Sequence, residues 1–232
     1  MSDLQEDPLT QQLNLEVVDA DGAIRESAAA AGLDRGDFLK KGALAGGGLI
    51  AGSAMFGTFL SSAEAAISTT KRSKANDVKI LNFALTLEFL EAEFYKQAVA
   101  NQAFGNSADL KRFAEVVADH EAEHVKFLRG ALGAKAIKKP KFDFADTVTD
   151  QAKFAATAQV LEDTGVSAYL GQVKHISQAA VLSAAGTIAT VEARHAAWIR
   201  FINSVTPAPS DFDKPKSEKA ILKAVGATGF IK

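Results

Sequence analysis

The chain has 232 residues, 47% of them hydrophobic and 23% charged, with a formal net charge of -2, enough for one globular domain with a real core plus flanking segments. A near-neutral balance and a sequence pI of about 6.1 provide no electrostatic footprint for nucleic acid. The absence of cysteine excludes disulfides, thiolate nucleophiles and sulfur-ligated zinc or iron-sulfur clusters, so any metal would have to be held by Glu, Asp and His.

Residues 1–34 are acidic and Ala-rich, with few large apolar residues after Val18, and read as a disordered extension. Residues 35–65 read as an export segment. Arg35, Lys40 and Lys41 precede an uncharged run carrying Leu44, Leu49, Ile50, Met55, Phe56, Phe59 and Leu60, which ends at Ala63-Glu64-Ala65. A basic region, an apolar stretch and an Ala-x-Ala site are the parts of a secretory signal. The stretch Asp34-Arg35-Gly36-Asp37-Phe38-Leu39-Lys40 resembles the twin-arginine export box, with Gly36 where the second arginine would stand. That resemblance implies an export machinery as partner and a periplasmic or extracellular destination. The rival reading is an uncleaved anchor, because about twenty uncharged residues can just span a bilayer.

Residues 75–205 carry four helical patterns. In the first, Leu81, Ala84, Glu88, Glu91, Tyr95 and Ala98 fall on one stripe, with Asn76 or Asp77 as N-cap. The second starts near Ser107 and aligns Ala114, Val117, Glu121, His124 and Leu128, until Gly130 and Gly133 weaken it. A linker to Thr149 follows, rich in lysine, with Phe142 and Phe144 available to tuck under the helices. The third, residues 150–173, aligns Phe154, Ala158, Glu162, Val166 and Tyr169. The fourth begins after Ser177 and shows Val181, Ala185, Ile188, Glu192, His195, Ile199 and Ile202 at alternating steps of four and three, a bundle seam stopped by Pro207 and Pro209. Residues 206–232 read as an extension with a short helix near residues 217–225 and a terminus packed on the bundle through Phe230 and Ile231.

Short links after helices one and three make those pairs antiparallel. The long link between helices two and three can run back along a helix about 30 Å long. This is an all-α, ferritin-like four-helix bundle with one long crossover between helices 2 and 3.

The carboxylates in these stripes suggest chemistry. Residues i and i+3 of a helix share a face, so Glu121 and His124 reach one point, as do Glu192 and His195. A glutamate from each of two helices with a Glu-x-x-His from each of the other two is the donor set of di-metal carboxylate bundles. Glu88, Glu121, His124, Glu162, Glu192 and His195 supply it, each about halfway along its helix. Unpaired buried carboxylates are costly, and coordination removes that cost. Oxygen donors with only two imidazoles suit two iron ions, or alternatively manganese, and leave positions for dioxygen or peroxide. A rival motif overlaps this set: His120-Glu121-Ala122-Glu123-His124 matches His-Glu-x-x-His, in which His120 and His124 would bind zinc and Glu121 would activate water. It lacks a third ligand and leaves Glu88, Glu162, Glu192 and His195 unexplained. His175 reads as a packing or surface histidine, and Tyr169 and Trp198 as core or interface residues rather than radical or electron-transfer sites.

Residues 80–95, Ile-Leu-Asn-Phe-Ala-Leu-Thr-Leu-Glu-Phe-Leu-Glu-Ala-Glu-Phe-Tyr, together with Val191-Glu192-Ala193-Arg194-His195-Ala196-Ala197, resemble the ferritin-like proteins that include plant and bacterial desiccation-related proteins. The resemblance covers about residues 75–232. It implies a ligand role for Glu88 and a role beside the metals for Tyr95, seven residues further on. It leaves Glu91, one turn from Glu88, as a hydrogen-bonding partner, a proton relay or the first-helix ligand itself. The function it suggests, with the donor set, is metal-dependent redox chemistry: oxidation of Fe(II) by dioxygen or peroxide, or peroxide removal. The alternative is a non-enzymatic stress or desiccation-related protein with a structural or binding role. Iron storage in an oligomeric shell is a third, disfavoured by the long leader and the Lys-rich linker.

Overall fold

Four long helices, each begun by a short polar side chain or a borrowed carboxylate, make up most of the computed structural model, which describes residues 66–232. The expected extension at 1–34 and export segment at 35–65 lie outside the described residues. The helices are α1 (Lys74–Ala100), α2 (Ala108–Leu132), α3 (Gln151–Gln172), α4 (Ala179–Ile202) and a shorter α5 (Glu218–Thr228). No strand occurs among the described residues, only an isolated bridge between Phe142 and Ile231. No helix among them is long and apolar enough to cross a membrane.

Capping chemistry explains where the helices start. Ser107, Asp150 and Ser217 accept hydrogen bonds from the backbone N–H groups of Leu110, Lys153 and Ala220, satisfying donors that a first turn leaves unpaired. The cap of α1 is Ser73, not Asn76 or Asp77 as the sequence suggests. Those two residues are buried and employed elsewhere. Asp77 accepts from the backbone N–H groups of Ser177 (2.8 Å) and Gln178 (2.9 Å), so a carboxylate of α1 caps α4 from a hundred residues away. Ser177 therefore does not cap α4, and Gln178 in the cap position makes no side-chain capping bond. Gly133 ends α2 at φ +55°, a left-handed backbone region that favours glycine. α4 stops at Ile202, with Asn203 closing it several residues before Pro207.

The pairs α1–α2 and α3–α4 pack most extensively, and the long α2–α3 connection crosses between them. Side chains tie this connection down. Asn82 donates to the Lys135 carbonyl and accepts from the Ile137 N–H, and Phe144 is buried against Phe94 and Phe230. The C-terminal tail pairs with the same connection through Asp143 N–H to Phe230 O and Lys232 N–H to Lys141 O, both 2.9 Å. Further back, Lys216 N–H donates to the Ser167 carbonyl (2.9 Å), where Gly171 leaves room: a Cβ there would overlap the Lys216 backbone carbonyl.

The interior is layered. Toward the C-terminal half of α1 it is aromatic: Phe94, Tyr95, Phe113 and Phe154 are fully buried and meet edge-on or stacked at 5.2–6.1 Å, with Trp198 on Phe113. Toward the opposite end it is mainly aliphatic, built from Ile80, Ala84, Leu85, Leu128, Leu132 and Ile188, with Phe83 and Phe89 among them. Between the two lies a layer of charged side chains.

Candidate metal centre

Every one of the six side chains singled out as ligands comes to this middle layer. Glu88, Glu121, Glu162 and Glu192 have no solvent-exposed surface, and His195 is buried. Their donor atoms form two overlapping groups, Glu88–Glu121–His124–Glu192 and Glu121–Glu162–Glu192–His195, with all donors of a group within 4.8 Å of one another. Glu121 and Glu192 belong to both.

Individual distances show how the sharing arises. Glu121 Oε2 is 3.2 Å from His124 Nδ1, and its other oxygen, Oε1, is 3.2 Å from His195 Nδ1. Glu88 Oε2 and Glu192 Oε1 each lie 3.2 Å from His124 Nδ1, and Glu162 Oε2 lies 3.2 Å from His195 Nδ1. Donors about 2.1 Å from one ion and at right angles are separated by about 3.0 Å, so the spacing fits the edges of two coordination polyhedra. The polar accounting agrees. Glu121 Oε1, Glu162 Oε2, both oxygens of Glu192 and His195 Nδ1 are buried without a hydrogen-bond partner. Such orphaned groups are costly and therefore rare. Here Glu121 Oε1 and Glu162 Oε2 meet at His195 Nδ1 within one donor group, and Glu192 links that group to the other, so the residues present fit a carboxylate metal site.

Two tyrosines brace the outer glutamates. Tyr95 donates to Glu162 Oε1 and Tyr169 donates to Glu88 Oε1. Tyr95 follows Glu88 by seven residues and Tyr169 follows Glu162 by seven, and each tyrosine crosses to the other helix's glutamate. The two helical hairpins are thus related by an internal pseudo-twofold, α1–α2 onto α3–α4. The role expected for Tyr95 extends to Tyr169, which the sequence places only in the core. The repeated seven-residue spacing was the available signal.

The pseudo-symmetry breaks at two positions. Glu91, three residues after Glu88, corresponds to Gly165, three after Glu162. A Cβ at Gly165 would come within 3.0 Å of Glu192 Oε2 and 3.4 Å of Glu91 Oε1, so glycine leaves the space that the fifth carboxylate occupies. Glu91 is buried but falls in neither donor group. His120, before Glu121, corresponds to Val191. Its Nδ1 lies 2.9 Å from His195 Nε2 with the rings stacked. His120 belongs to neither donor group, so it does not join His124 in the zinc-protease pattern. His175 is buried, as a packing residue, with its carbonyl accepting from Asn76.

The electrostatics of the metal-free protein follow from five glutamates buried together. Burial, then the charges of Glu192, Glu162, Glu121 and Glu88, push Glu91 well above the usual carboxylate range. Burial and Glu88 do the same to Glu121, and burial and Glu121 to Glu192. Glu88 is held below that range, because hydrogen bonds from His124 and its other partners outweigh burial. Burial opposes charge on His124, yet Glu121, Glu192 and Glu88 around it push it up to about 12. Burial likewise opposes charge on His195, which Glu162 raises. Protons thus stand where cations fit, and cation binding must displace them.

The ferritin-like domain model matches residues 76–204, more than half of the chain and all of the donor residues. The chain belongs to the ferritin-like domain family. No curated protein matches it. Family membership and the donor cluster together support metal binding in a ferritin-like bundle.

Proposed function

We propose that this ferritin-like protein holds two iron ions, or alternatively two manganese ions, and carries out metal-dependent redox chemistry: oxidation of Fe(II) by dioxygen or peroxide, or peroxide removal with manganese loaded. The observation that carries the proposal is the pair of overlapping donor groups sharing Glu121 and Glu192. Glu88 and His124 would complete one ion's set, and Glu162 and His195 the other's. The ions would supply one-electron chemistry and open positions for a small oxidant.

The chain's own residues then have defined tasks. Four ligand carboxylates would balance the charge of two divalent cations, and Glu91 adds a fifth buried carboxyl beside them. Tyr95 and Tyr169 fix the orientation of Glu162 and Glu88, and His120 fixes the ring of His195, as partners of metal ligands do. The aromatic layer excludes water on one side.

Export belongs to the same reading: residues 35–65 would direct the protein to the periplasm or outside the cell, and a bundle of this kind can assemble further into an oligomer. The test is anaerobic Fe(II) addition followed by dioxygen or peroxide, with absorbance and turnover compared among wild type, Glu88→Ala and His195→Ala. Loss in both variants is expected, and unchanged turnover in both rejects the proposal. The complete burial of the four glutamates also suits a second reading, a desiccation-related or stress protein in which the metals serve stability alone. A chelator-induced fall in Tm without any turnover in the loaded protein would favour it.

A further inference from the structure

α4 is apolar on two sides. Its inner seam packs in the bundle, yet the outer side of its 24 residues exposes one charged side chain, Arg194. Arg200, half-buried beside it, is held by Asp163 of α3 at 2.9 and 2.6 Å. Phe201 is 70% exposed and Leu182 42%, and Val160 on the neighbouring α3 is 59% exposed. α2, by contrast, exposes Lys111, Glu115, Asp119, Glu123, Lys126 and Arg129, the ordinary solvated face of a bundle helix. A helix that is apolar all round is normally enclosed all round.

Local bonding removes further polarity from this side. The hydroxyls of Thr187 and Thr190 donate to the carbonyls of Ala184 (2.7 Å) and Thr187 (2.9 Å), so neither needs an outside partner. Gly186 is exposed in mid-helix, and a Cβ there would meet nothing within 4 Å. Packing within the chain therefore gives no reason for a residue that weakens a helix interior. Close approach of a second backbone does.

The outer residues also stand in a symmetrical order. Ala179, Ser183, Gly186, Thr190, Arg194, Ala197 and Phe201 follow at steps of four, three, four, four, three and four, a seam that reads the same in both directions. About a twofold axis at Thr190, an antiparallel second α4 would set Phe201 against the partner's Ala179, Ala197 against the partner's Ser183 and Arg194 against the partner's Gly186. Both large side chains then meet small ones. The Arg194 stem can lie over that glycine while its guanidinium reaches water. The area suffices as well: a face about 36 Å long and about 20 Å wide across two packed helices covers roughly 700 Å², near the ~800 Å² that each partner of a standard interface buries.

We propose that the outer face of α3 and α4 is a homodimer interface, on which a second copy of this chain packs antiparallel with Thr190 at the twofold axis. The interface involves no metal ligand, so it stands or falls apart from the redox reading.

The chain has no cysteine, so a single introduced thiol reports a single contact. In the full-length protein kept metal-free by chelator, wild type is expected to sediment as a dimer, and Thr190→Cys to form a disulfide-linked dimer on mild oxidation. Ala122→Cys, exposed on α2, is expected to stay unlinked under the same conditions. Gly186→Arg, which opposes the partner's Arg194 with a like charge, is expected to raise the dimer dissociation constant at least about tenfold with helical circular dichroism unchanged. A monomeric wild type, which would leave the face to some other partner, overturns the proposal. So does a dimer in which Thr190→Cys links no better than Ala122→Cys, or one that Gly186→Arg leaves intact.

Discussion

The two ends of the bundle answer the same motif differently. Each hairpin brings a glutamate and, seven residues on, a tyrosine that reaches the opposite glutamate. Tyr95 is then enclosed by Phe94, Phe113 and Phe154, whereas Tyr169 stands beside alanines, branched aliphatics and Phe83 around a small crevice. Identical bracing thus coexists with unequal packing: the aromatic end is closely filled, and the aliphatic end keeps a small crevice beside Tyr169. The breaks in symmetry at Glu91 and His120 make the two donor groups unequal as well.

The largest effect distinguishes shared from unshared ligands. Glu192→Ala removes a donor from both groups and is expected to leave the protein with neither ion bound tightly, whereas Glu162→Ala is expected to lose one. Metal analysis by mass spectrometry after gel filtration gives the counts, and equal losses would mean that Glu192 is not shared. Next comes packing. Phe154→Ala at the closed end is expected to cost about 3–5 kcal/mol. Val181→Ala, in the half-open crevice wall, is expected to cost less than about 1.5 kcal/mol, because little buried contact is lost. Urea unfolding of the metal-free forms checks the contrast, and similar losses would erase the difference between the ends.

His120→Ala sharpens the asymmetry within the centre. Removing a partner of a ligating imidazole typically weakens metal binding by about 10–100-fold. Competition with a chelator is expected to show that loss for one ion of the two. His120 is largely exposed, so Tm of the metal-free form should barely move, and equal weakening of both ions would assign His120 a different role.

The smallest effect is a drift with pH. In the metal-free protein Glu91, Glu121 and Glu192 have folded pKa values above 4.5. Their contribution to stability is therefore present below that pH and lost as pH rises. His124, raised from 6.5 to about 12, adds a contribution complete below about 6.5 that declines above it. Glu88, lowered, works in the opposite sense only around and below 4.5. From about pH 5.5 to 8, Tm in chelator is thus expected to fall, while cations, which need the ionised groups, bind better. A gap between loaded and chelated Tm that widens with pH supports this sign, and a narrowing gap contradicts it.

Much of this was legible in sequence because it depends on local spacing. Glu-x-x-His on one helix face, apolar stripes at steps of three and four, and one long link among short ones already specify four helices with carboxylates at one depth. What the sequence did not reveal depends on partners distant in the chain. Asp77 looks like the cap of its own helix until Ser177 and Gln178 are seen to donate to it. His120 matches a zinc motif until His195 is found beside it.

The most direct test is crystallographic: anomalous diffraction from the protein loaded with manganese or iron. Two peaks about 3.5–4 Å apart, both in contact with Glu121 and Glu192, with His124 on one and His195 on the other, are the expected result. A single ion, an ion between His120 and His124, or an empty layer with the glutamates paired to protein groups would contradict it.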